Sequence, residues 1–285
     1  DNGYTNFHFE IEADLLGEEE LEALSVLRPG LVQLEIGVQS TNIDTLKAVR
    51  RYTDLQKLSR NVQRIRSFHN IHQHLDLIAG LPGENLESFQ RSFCDVYELQ
   101  PQQLQLGFLK VLRGTLMEKR AEEYGCLYKG EPPYEVLGTK WLSYGEIRRL
   151  KLVEEMVEVY YNSGQFQKTI AAAEKRFKTP YDFYEKLGLF CEKNGYLDIQ
   201  HTRIRRYEIL AEFLQEQIPG EERLFRECMV FDLYARENLK SRPVWAGEPK
   251  LPKAFVREFY EAEARSPGLT GKYRGRDWRQ LKSMT

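Results

Sequence analysis

The chain has 285 residues, of which 41% are hydrophobic and 29% charged, a composition typical of a globular protein with about two domains. No stretch approaches the ~18 consecutive apolar residues of a membrane span, so no membrane partner is expected. Lysine plus arginine (41) nearly balances aspartate plus glutamate (43), which makes nucleic acid an unlikely partner. The cysteines lie at least 32 residues apart, a spacing that excludes a zinc knuckle and predicts a cytoplasmic protein: Cys94, Cys126, Cys191 and Cys228.

Short apolar, β-rich runs alternate with helical patterns through residues 1–114, which we predict to form the first domain. The runs predict strands over 4–11, 31–38, 71–78 and 103–109, with helices near 18–27, 42–67 and 85–98. Strands that alternate with helices indicate a parallel sheet with right-handed crossovers. Four such units make about half of an eight-unit barrel. The predicted fold class is therefore α/β, with a partial (β/α) barrel followed by an all-α domain.

Polar side chains form a row along one face of each of the first three predicted strands. The rows are His8, Glu10 and Glu12, then Glu35, Gly37 and Gln39, then His72, His74 and Asp76. Buried parallel strands are usually apolar on both faces. The rows therefore indicate either an open sheet wetted on one side or a curved sheet around a ligand-lined cavity. We expect the first strand at an edge of the sheet, with Phe7 and Phe9 of its other face buried beneath helices.

The pattern is helical over residues 115–264, the second predicted domain. Ser143 and Glu146 form a capping-box pattern, and Thr179-Pro180 is typical of a helix start. Further helices are expected over 202–217, 221–239 and 252–264, and the prolines between 241 and 252 predict a linker. The last 50 residues hold 12 Lys/Arg against 6 Asp/Glu, and 265–285 is interpreted as a solvated basic tail.

Three strings in the first domain resemble the later strands of the radical S-adenosylmethionine (SAM) core. They are Gly37-Val38-Gln39-Ser40, Arg50-Arg51-Tyr52-Thr53, and the run from His74 to Gly83, HLDLIAGLPG. The resemblance is to the branch that includes oxygen-independent coproporphyrinogen oxidase and methylthiotransferases, and it covers residues 4–113. More loosely, the helical half resembles the C-terminal domain of cobalamin-binding radical SAM proteins. The resemblance implies that the four strands are the third to sixth of a six-stranded partial barrel.

The resemblance also implies a SAM site at the carboxyl ends of these strands. Glu10 would lie near the amino acid moiety, Gln39 would contact the ribose hydroxyls, and Arg51, with Arg50 as the alternative, would pair with the SAM carboxylate. Asp76 would contact the ribose, Ile78 and Gly80 would lie where adenine packs, and Ser40 belongs to the same site. The residue types suit these roles, because a guanidinium binds a carboxylate with two hydrogen bonds. Without the resemblance, helix or loop capping explains Gln39 and Asp76, and a solvated helix charge explains Arg51.

The family binds a [4Fe–4S] cluster through a Cys-x₃-Cys-x₂-Cys motif that is absent from this sequence. We therefore expect no metal site in the chain and interpret it as the C-terminal portion of a longer enzyme. The missing N-terminal half would bind the cluster and, by the looser resemblance, cobalamin. The intact enzyme would cleave SAM to a 5′-deoxyadenosyl radical or transfer a methyl group, and would act on a small-molecule or unknown substrate.

Three other interpretations remain open at this stage. The chain could be a non-catalytic half-barrel and helical module that recruits a protein or RNA partner. It could be a metal-free lyase that uses Glu35, His74 and Asp76 for acid–base chemistry. The close spacing of His69, His72 and His74 could also indicate a metal site, although two histidines on one strand face without a clear third ligand more often line a pocket.

Overall fold

The computed structural model describes residues 2–237, 239, 241–247 and 251–284, and its first part is built on a four-stranded parallel sheet. The strands pair in chain order and are β1 (Phe7–Ile11), β2 (Val32–Gln39), β3 (His72–Ala79) and β4 (Gln103–Phe108). The connecting helices are α1 (Glu18–Ser25), α2 (Ile43–Ala48), α3 (Leu55–Ser67) and α4 (Leu86–Glu98). The predicted α/β class, with helices after the sheet, is confirmed.

The apolar row of the sheet forms the core of this part. On β2 the buried and half-buried positions alternate strictly along the strand. Leu34, Ile36, Leu75 and Leu77 are almost fully buried beside Phe89 and Phe93 of α4. The opposite row carries the polar side chains, so the predicted division of the sheet into an apolar face and a polar face is observed.

The prediction of one helical stretch over 42–67 was wrong, because the chain leaves the helix between α2 and α3. Arg50 adopts a left-handed conformation with φ 59°, and the Arg51 amide donates to the Leu46 carbonyl oxygen at 2.8 Å. This is the hydrogen bond that closes a Schellman motif at a helix end. Asp54 then starts α3 by accepting a hydrogen bond from the Lys57 amide. The break places Arg51 beside the end of β2.

Among the residues that the structure describes, β1 pairs only with β2, so it lies at the edge of the sheet as predicted. The expected burial of Phe7 and Phe9 was wrong, because their exposed fractions are 46% and 48%. Their rings stack on each other with centroids 6.1 Å apart. Helix α1, which follows β1, packs against α3. In the described part of the chain these two rings therefore keep an open apolar face.

The second part of the chain is mainly helical. Its longer helices are α6 (Tyr144–Met156), α7 (Gln167–Ala173), α8 (Pro180–Lys193), α9 (Arg203–Gln217), α10 (Glu222–Tyr234) and α11 (Lys253–Arg265), after the short α5 (Leu116–Lys119). The predicted caps at Ser143 and Thr179 are present. An all-α description was wrong in one respect, because β5 (Leu127–Tyr128) and β6 (Val136–Gly138) form a small antiparallel sheet.

The outer edge of β4 is covered from the helical part. A π-helix (Val157–Asn162) continues α6 and brings Asn162 to the strand. The Asn162 side chain accepts a hydrogen bond from the Leu104 amide at 2.9 Å and donates one to the Leu104 carbonyl oxygen at 3.0 Å. Beyond the strand, Leu109 accepts a hydrogen bond from the Val136 amide, and Lys110 forms an isolated bridge with Glu135. The Asn162 side chain and the start of β6 thus occupy positions that an added strand would take.

The chain divides into two compact units, residues 1–199 and 200–285. The predicted domain boundary at 114/115 falls inside the first unit, and the division of the chain into domains at that point stays a prediction. In the second unit, the predicted basic tail contains a helix, α12 (Trp278–Met284), which packs against α11 and buries Leu281. The predicted linker at 241–252 contains a short turn at Val244–Ala246, and its residues 248–250 lie outside the described residues. No helix in the described ranges is long and apolar enough to cross a membrane.

Candidate functional site

An open polar pocket of about 350 Å³ lies where the carboxyl ends of β1, β2 and β3 meet. Glu10, Gln39, Arg51 and Asp76, four of the predicted site residues, line it together. The other lining residues are Ile11, Glu12, Glu35 and Gly37. Ligands of parallel sheets usually bind at this end of the strands. The structure therefore brings these four side chains to one place, while their individual contacts with SAM stay predictions.

Arg51 reaches the pocket because the Schellman motif turns the chain at Arg50. Its Nη2 donates to the Gly37 carbonyl oxygen at 2.9 Å and lies 3.6 Å from Glu12 Oε1. Its Nε is buried without a hydrogen-bond partner. An unpaired buried donor on a guanidinium is costly unless a ligand or water satisfies it. Arg50, the alternative assignment, is exposed and does not line the pocket.

Gly37 and Gln39 together shape the end of β2. The pairing register with β3 shifts between these two residues, and Gln39 adopts a left-handed φ of 68°. The Gln39 side chain folds back over Gly37, so that a Cβ at residue 37 would lie 2.4 Å from Gln39 Nε2. Gln39 Oε1 is buried and has no hydrogen-bond partner. The glycine therefore makes the space in which the amide faces the pocket.

Asp76 lies on the pocket floor beside His74, the preceding residue on the same face of β3. His74 Nε2 is 3.0 Å from Asp76 Oδ1, and apart from each other these two buried atoms have no hydrogen-bond partner. On β2, Glu35 pairs in register with His74, and His8 of β1 places its Nε2 2.9 Å from Glu35 Oε2. Titratable side chains thus extend across three strands from the edge to the pocket.

The two histidines of β3 differ in acidity. Burial lowers the pKa of His74, but the Asp76 and Glu35 carboxylates and hydrogen bonds to Asp76 and Gln105 outweigh it, and the pKa is raised. The pKa of His72 is lowered, first by burial and then by the nearby His74. Within the described residues, no group of three His, Cys, Asp or Glu side chains is arranged to hold a metal ion. The interpretation of His69, His72 and His74 as a metal site therefore has no geometric support.

Ser40, Ile78 and Gly80 do not line the pocket. Ser40 is fully buried, and its hydroxyl donates to Glu84 Oε1 at 2.6 Å, so its side chain serves the protein interior. Ile78 lies on the polar face two residues beyond Asp76 and pairs in register with Gly107. Gly80 has φ +91°, and a Cβ there would lie 2.7 Å from Val136 Cγ1, which explains the glycine by packing. Adenine contacts by Ile78 and Gly80 stay predictions.

A buried carboxyl group after β3 was not predicted. Glu84 follows the turn after β3 and is fully buried, and its Oε1 accepts hydrogen bonds from Ser40 at 2.6 Å and Ser92 at 3.1 Å. Ser88 lies at the limit, 3.5 Å away, and Glu84 Oε2 has no partner. Burial raises the pKa of Glu84, against the lowering effect of the serine hydroxyls. This cluster ties the segment after β2 to the turn after β3 and to α4.

The charges of the pocket suit a ligand that carries both signs. Four carboxylates, from Glu10, Glu12, Glu35 and Asp76, line it with the single guanidinium of Arg51. SAM carries a sulfonium and an ammonium group beside one carboxylate, so its charges match this arrangement. The unpartnered Gln39 Oε1 and Arg51 Nε, together with the Asp76 carboxylate, are of the types that ribose hydroxyls and a carboxylate need. The residues present therefore fit SAM, whereas the four cysteines, at least 32 residues apart in sequence, do not fit an iron–sulfur cluster.

Comparisons with known proteins agree with the resemblance stated from the sequence. The chain is 29% identical over 117 residues to an oxygen-independent coproporphyrinogen-III oxidase-like protein, HemZ, of Bacillus subtilis, covering 39% of this chain and 22% of the relative. It is 33% identical over 105 residues to an oxygen-independent coproporphyrinogen III oxidase of Salmonella typhimurium, covering 35% of this chain and 23% of the relative. The chain thus spans less than a quarter of the length of these relatives. The resemblance to the radical SAM branch that contains such oxidases is confirmed.

Among solved structures, the chain is similar to coproporphyrinogen III oxidase (HemN) of Escherichia coli, described as a radical SAM enzyme. The two share 20% identity with a TM-score of 0.41, over 57% of this chain and 33% of the other. A family model described as "Protein of unknown function (DUF4080)" matches residues 122–285. Because this match covers more than half of the sequence, the chain belongs to the DUF4080 family.

Proposed function

We propose that this chain is part of a radical SAM enzyme and that the pocket at the ends of β1–β3 is its SAM site. The proposal depends above all on one observation: Gln39 and Arg51, each with a buried polar atom that has no hydrogen-bond partner, line one pocket together with Asp76. Sequence similarity to oxygen-independent coproporphyrinogen III oxidases supports the same assignment.

Each side chain has a role that its chemistry supports. Arg51 would turn part of its hydrogen bonding from the Gly37 carbonyl oxygen to the SAM carboxylate. Glu10, the predicted partner of the amino acid moiety, would bind the ammonium group. Gln39 and Asp76 would accept hydrogen bonds from ribose hydroxyls, as carboxylates do in other nucleotide sites of parallel sheets. When SAM is bound beside a reduced [4Fe–4S] cluster, it supplies a 5′-deoxyadenosyl radical or a methyl group.

The cluster would be held by another part of a longer protein. Support comes from the relatives, of which this chain spans 22–23%, and from the open edge and exposed phenylalanines of β1, where a preceding βα unit would pack. Cobalamin dependence is the finer part of the proposal. It rests on the resemblance of residues 115–264 to the C-terminal domain of cobalamin-binding radical SAM proteins, and the helical part would then shape access for the substrate.

Calorimetric titration with SAM and S-adenosylhomocysteine tests the site. Both ligands carry the carboxylate and the ribose, but only SAM has a sulfonium charge, so we expect SAM to bind more tightly in this carboxylate-rich pocket. The titration is made with this chain and with the complete gene product loaded with cluster. Saturable SAM binding to neither protein would refute the proposal.

A non-catalytic half-barrel and helical module that recruits a protein or RNA partner is the second candidate. Sequencing the DNA upstream of the codon for residue 1 separates the two. The enzyme proposal requires such a motif in the same reading frame, whereas an upstream stop codon without it would support the module.

A further inference from the structure

We infer that His74 is a positioning residue of the pocket: buried against Asp76 and in register with Glu35, it fixes the Asp76 carboxylate for hydrogen bonding to a ribose. The inference rests on the proposed function and adds to it a residue that does not line the pocket or touch the ligand. It also predicts that nucleoside binding depends on pH.

The contact between His74 Nε2 and Asp76 Oδ1 has no competing hydrogen bond at either atom. His74 is 6% exposed, and its Nε2 lies 3.0 Å from Asp76 Oδ1. Both atoms are buried, and neither has a hydrogen-bond partner elsewhere. Removing one charge from such a pair leaves the other buried and unpaired, which is more costly than the pair itself is favourable. The orientation of Asp76 therefore depends on the charge of His74.

The surrounding strands supply mainly negative charge to His74. Glu35 of β2 is its register partner, and His8 of β1 binds the far side of that carboxylate at 2.9 Å. On β4 the neighbours are uncharged amides, with Gln103 in register with His74 and Gln105 in register with Asp76. A protonated His72 on β3 would oppose this, but the lowered pKa of His72 favours its neutral form. The neighbours thus stabilise an imidazolium at residue 74.

The direction of the pH dependence follows from these contacts. Burial lowers the pKa of His74, and the Asp76 and Glu35 carboxylates raise it more, so the folded protein holds this proton more tightly than a free histidine with pKa 6.5. The imidazolium is fully present below pH 6.5 and is lost as the pH rises through the higher, folded value. We expect the affinity for SAM to fall over the same interval.

Side-chain NMR titration of the histidines tests the ion pair without any ligand. We expect His74 to titrate above pH 6.5 and His72 below it, and we expect the His74 pKa to fall in Asp76→Asn and in Glu35→Gln. A His74 that titrates at or below His72, or that ignores Asp76→Asn, would overturn the inference.

Calorimetric titration with SAM from pH 6 to pH 9 tests the positioning role. His74→Gln should weaken binding by roughly tenfold at pH 6 and remove the protein's part of the pH dependence. His72→Gln is the matched control on the same strand face and should keep the wild-type profile, including any ionisation of SAM itself. Identical profiles in wild type and His74→Gln would refute the inference alone. A wild-type protein that binds no SAM at any pH would refute the proposed function and the positioning role with it.

Discussion

The side-chain amide of Gln39 occupies the space that a side chain at residue 37 would need, since a Cβ on Gly37 would lie 2.4 Å from Gln39 Nε2. Gly37→Ala should therefore push the amide out of its place without unfolding the protein, because the displaced group is the end of a flexible side chain. We expect SAM affinity to fall by roughly tenfold, the effect of losing one hydrogen bond. Calorimetry gives the affinity, and thermal melts check the fold.

Gly145→Ala is the control for this change. A Cβ at Gly145 meets no atom within 4 Å, and the residue lies in α6. Alanine should stabilise the helix by about 0.5–1 kcal/mol and leave SAM binding unchanged. Equal SAM affinities in both glycine variants would contradict the role given to Gln39.

Arg51→Lys separates charge from hydrogen-bonding geometry. Lysine keeps the positive charge but cannot bind a carboxylate with two parallel hydrogen bonds. A charge-assisted hydrogen bond is worth ~1.5–3 kcal/mol, so SAM affinity should fall by roughly ten- to a hundredfold. Asp76→Asn should weaken binding less, because the amide oxygen still accepts from a ribose hydroxyl. Calorimetry on cluster-loaded, full-length protein measures both effects.

Arg50→Lys is the matched control, since Arg50 is exposed and lies outside the pocket. It should bind SAM like the wild type. Loss of affinity in Arg50→Lys with none in Arg51→Lys would move the carboxylate contact to Arg50. Unchanged affinity in both would remove the SAM-site assignment.

Glu84→Gln tests the buried carboxyl group through the pH dependence of stability. Burial raises the pKa of Glu84, so the folded state binds this proton more tightly than the unfolded state. The contribution of Glu84 to stability is complete below pH 4.5 and is lost as the pH rises through the folded-state pKa. Urea unfolding should find Glu84→Gln more stable than the wild type at pH 8, with a smaller difference at pH 5.

Glu146→Gln should show the opposite dependence. Hydrogen bonds from Ser143 lower the pKa of Glu146, so its contribution is present above pH 4.5 and is lost as the pH falls through the folded value. This variant should lose stability at pH 8 relative to wild type. For Glu84→Gln, the free energy of unfolding plotted against pH is compared with that of the wild type. Parallel plots at all pH values would show that the serine hydroxyls keep Glu84 ionised in the folded state.

The 285-residue chain alone should assemble no iron–sulfur cluster. Cluster binding requires thiolates that lie close together, whereas Cys94 lies on α4, Cys126 precedes β5 and Cys191 lies on α8. Burial also raises the pKa of Cys94 and Cys126, which disfavours the thiolate form. Anaerobic reconstitution followed by iron and sulfide analysis checks this, and stoichiometric iron and sulfide would contradict it.

The sheet and most of its pocket could be predicted because both follow from a period of two residues. Alternation places Glu10, Glu35 and Asp76 on one face, and parallel pairing then brings the strand ends together. The break between α2 and α3 escaped prediction, because the left-handed residue is Arg50 and not the glycine that usually signals a helix end. The position of Arg51 was therefore expected from family resemblance and explained only by the fold.

Burial was the other property that local sequence did not reveal. Glu84 follows a turn and its sequence position suggests a solvated charge, but Ser40 after β2 and Ser88 and Ser92 of α4 surround it in the fold. Ser40 was predicted to belong to the SAM site because local sequence did not reveal its hydrogen-bond partner, Glu84, which lies 44 residues away. Phe7 and Phe9 were expected to be buried but are exposed, because the apolar row of an edge strand is buried only when a neighbouring element packs against it.

The Asn162 side chain makes the two edges of the sheet different, because it takes up the backbone hydrogen-bonding groups of Leu104 on β4. With Leu104 bonded to that side chain and Leu109 to Val136, the β4 edge offers no continuous backbone ladder to another strand. The backbone hydrogen-bonding groups on the outer edge of β1 are not paired with another described strand, and the exposed Phe7 and Phe9 give this strand an apolar surface. In the described structure, a strand that extends this sheet, from the same polypeptide or from another, would therefore find unpaired backbone groups at β1 and not at Leu104 of β4.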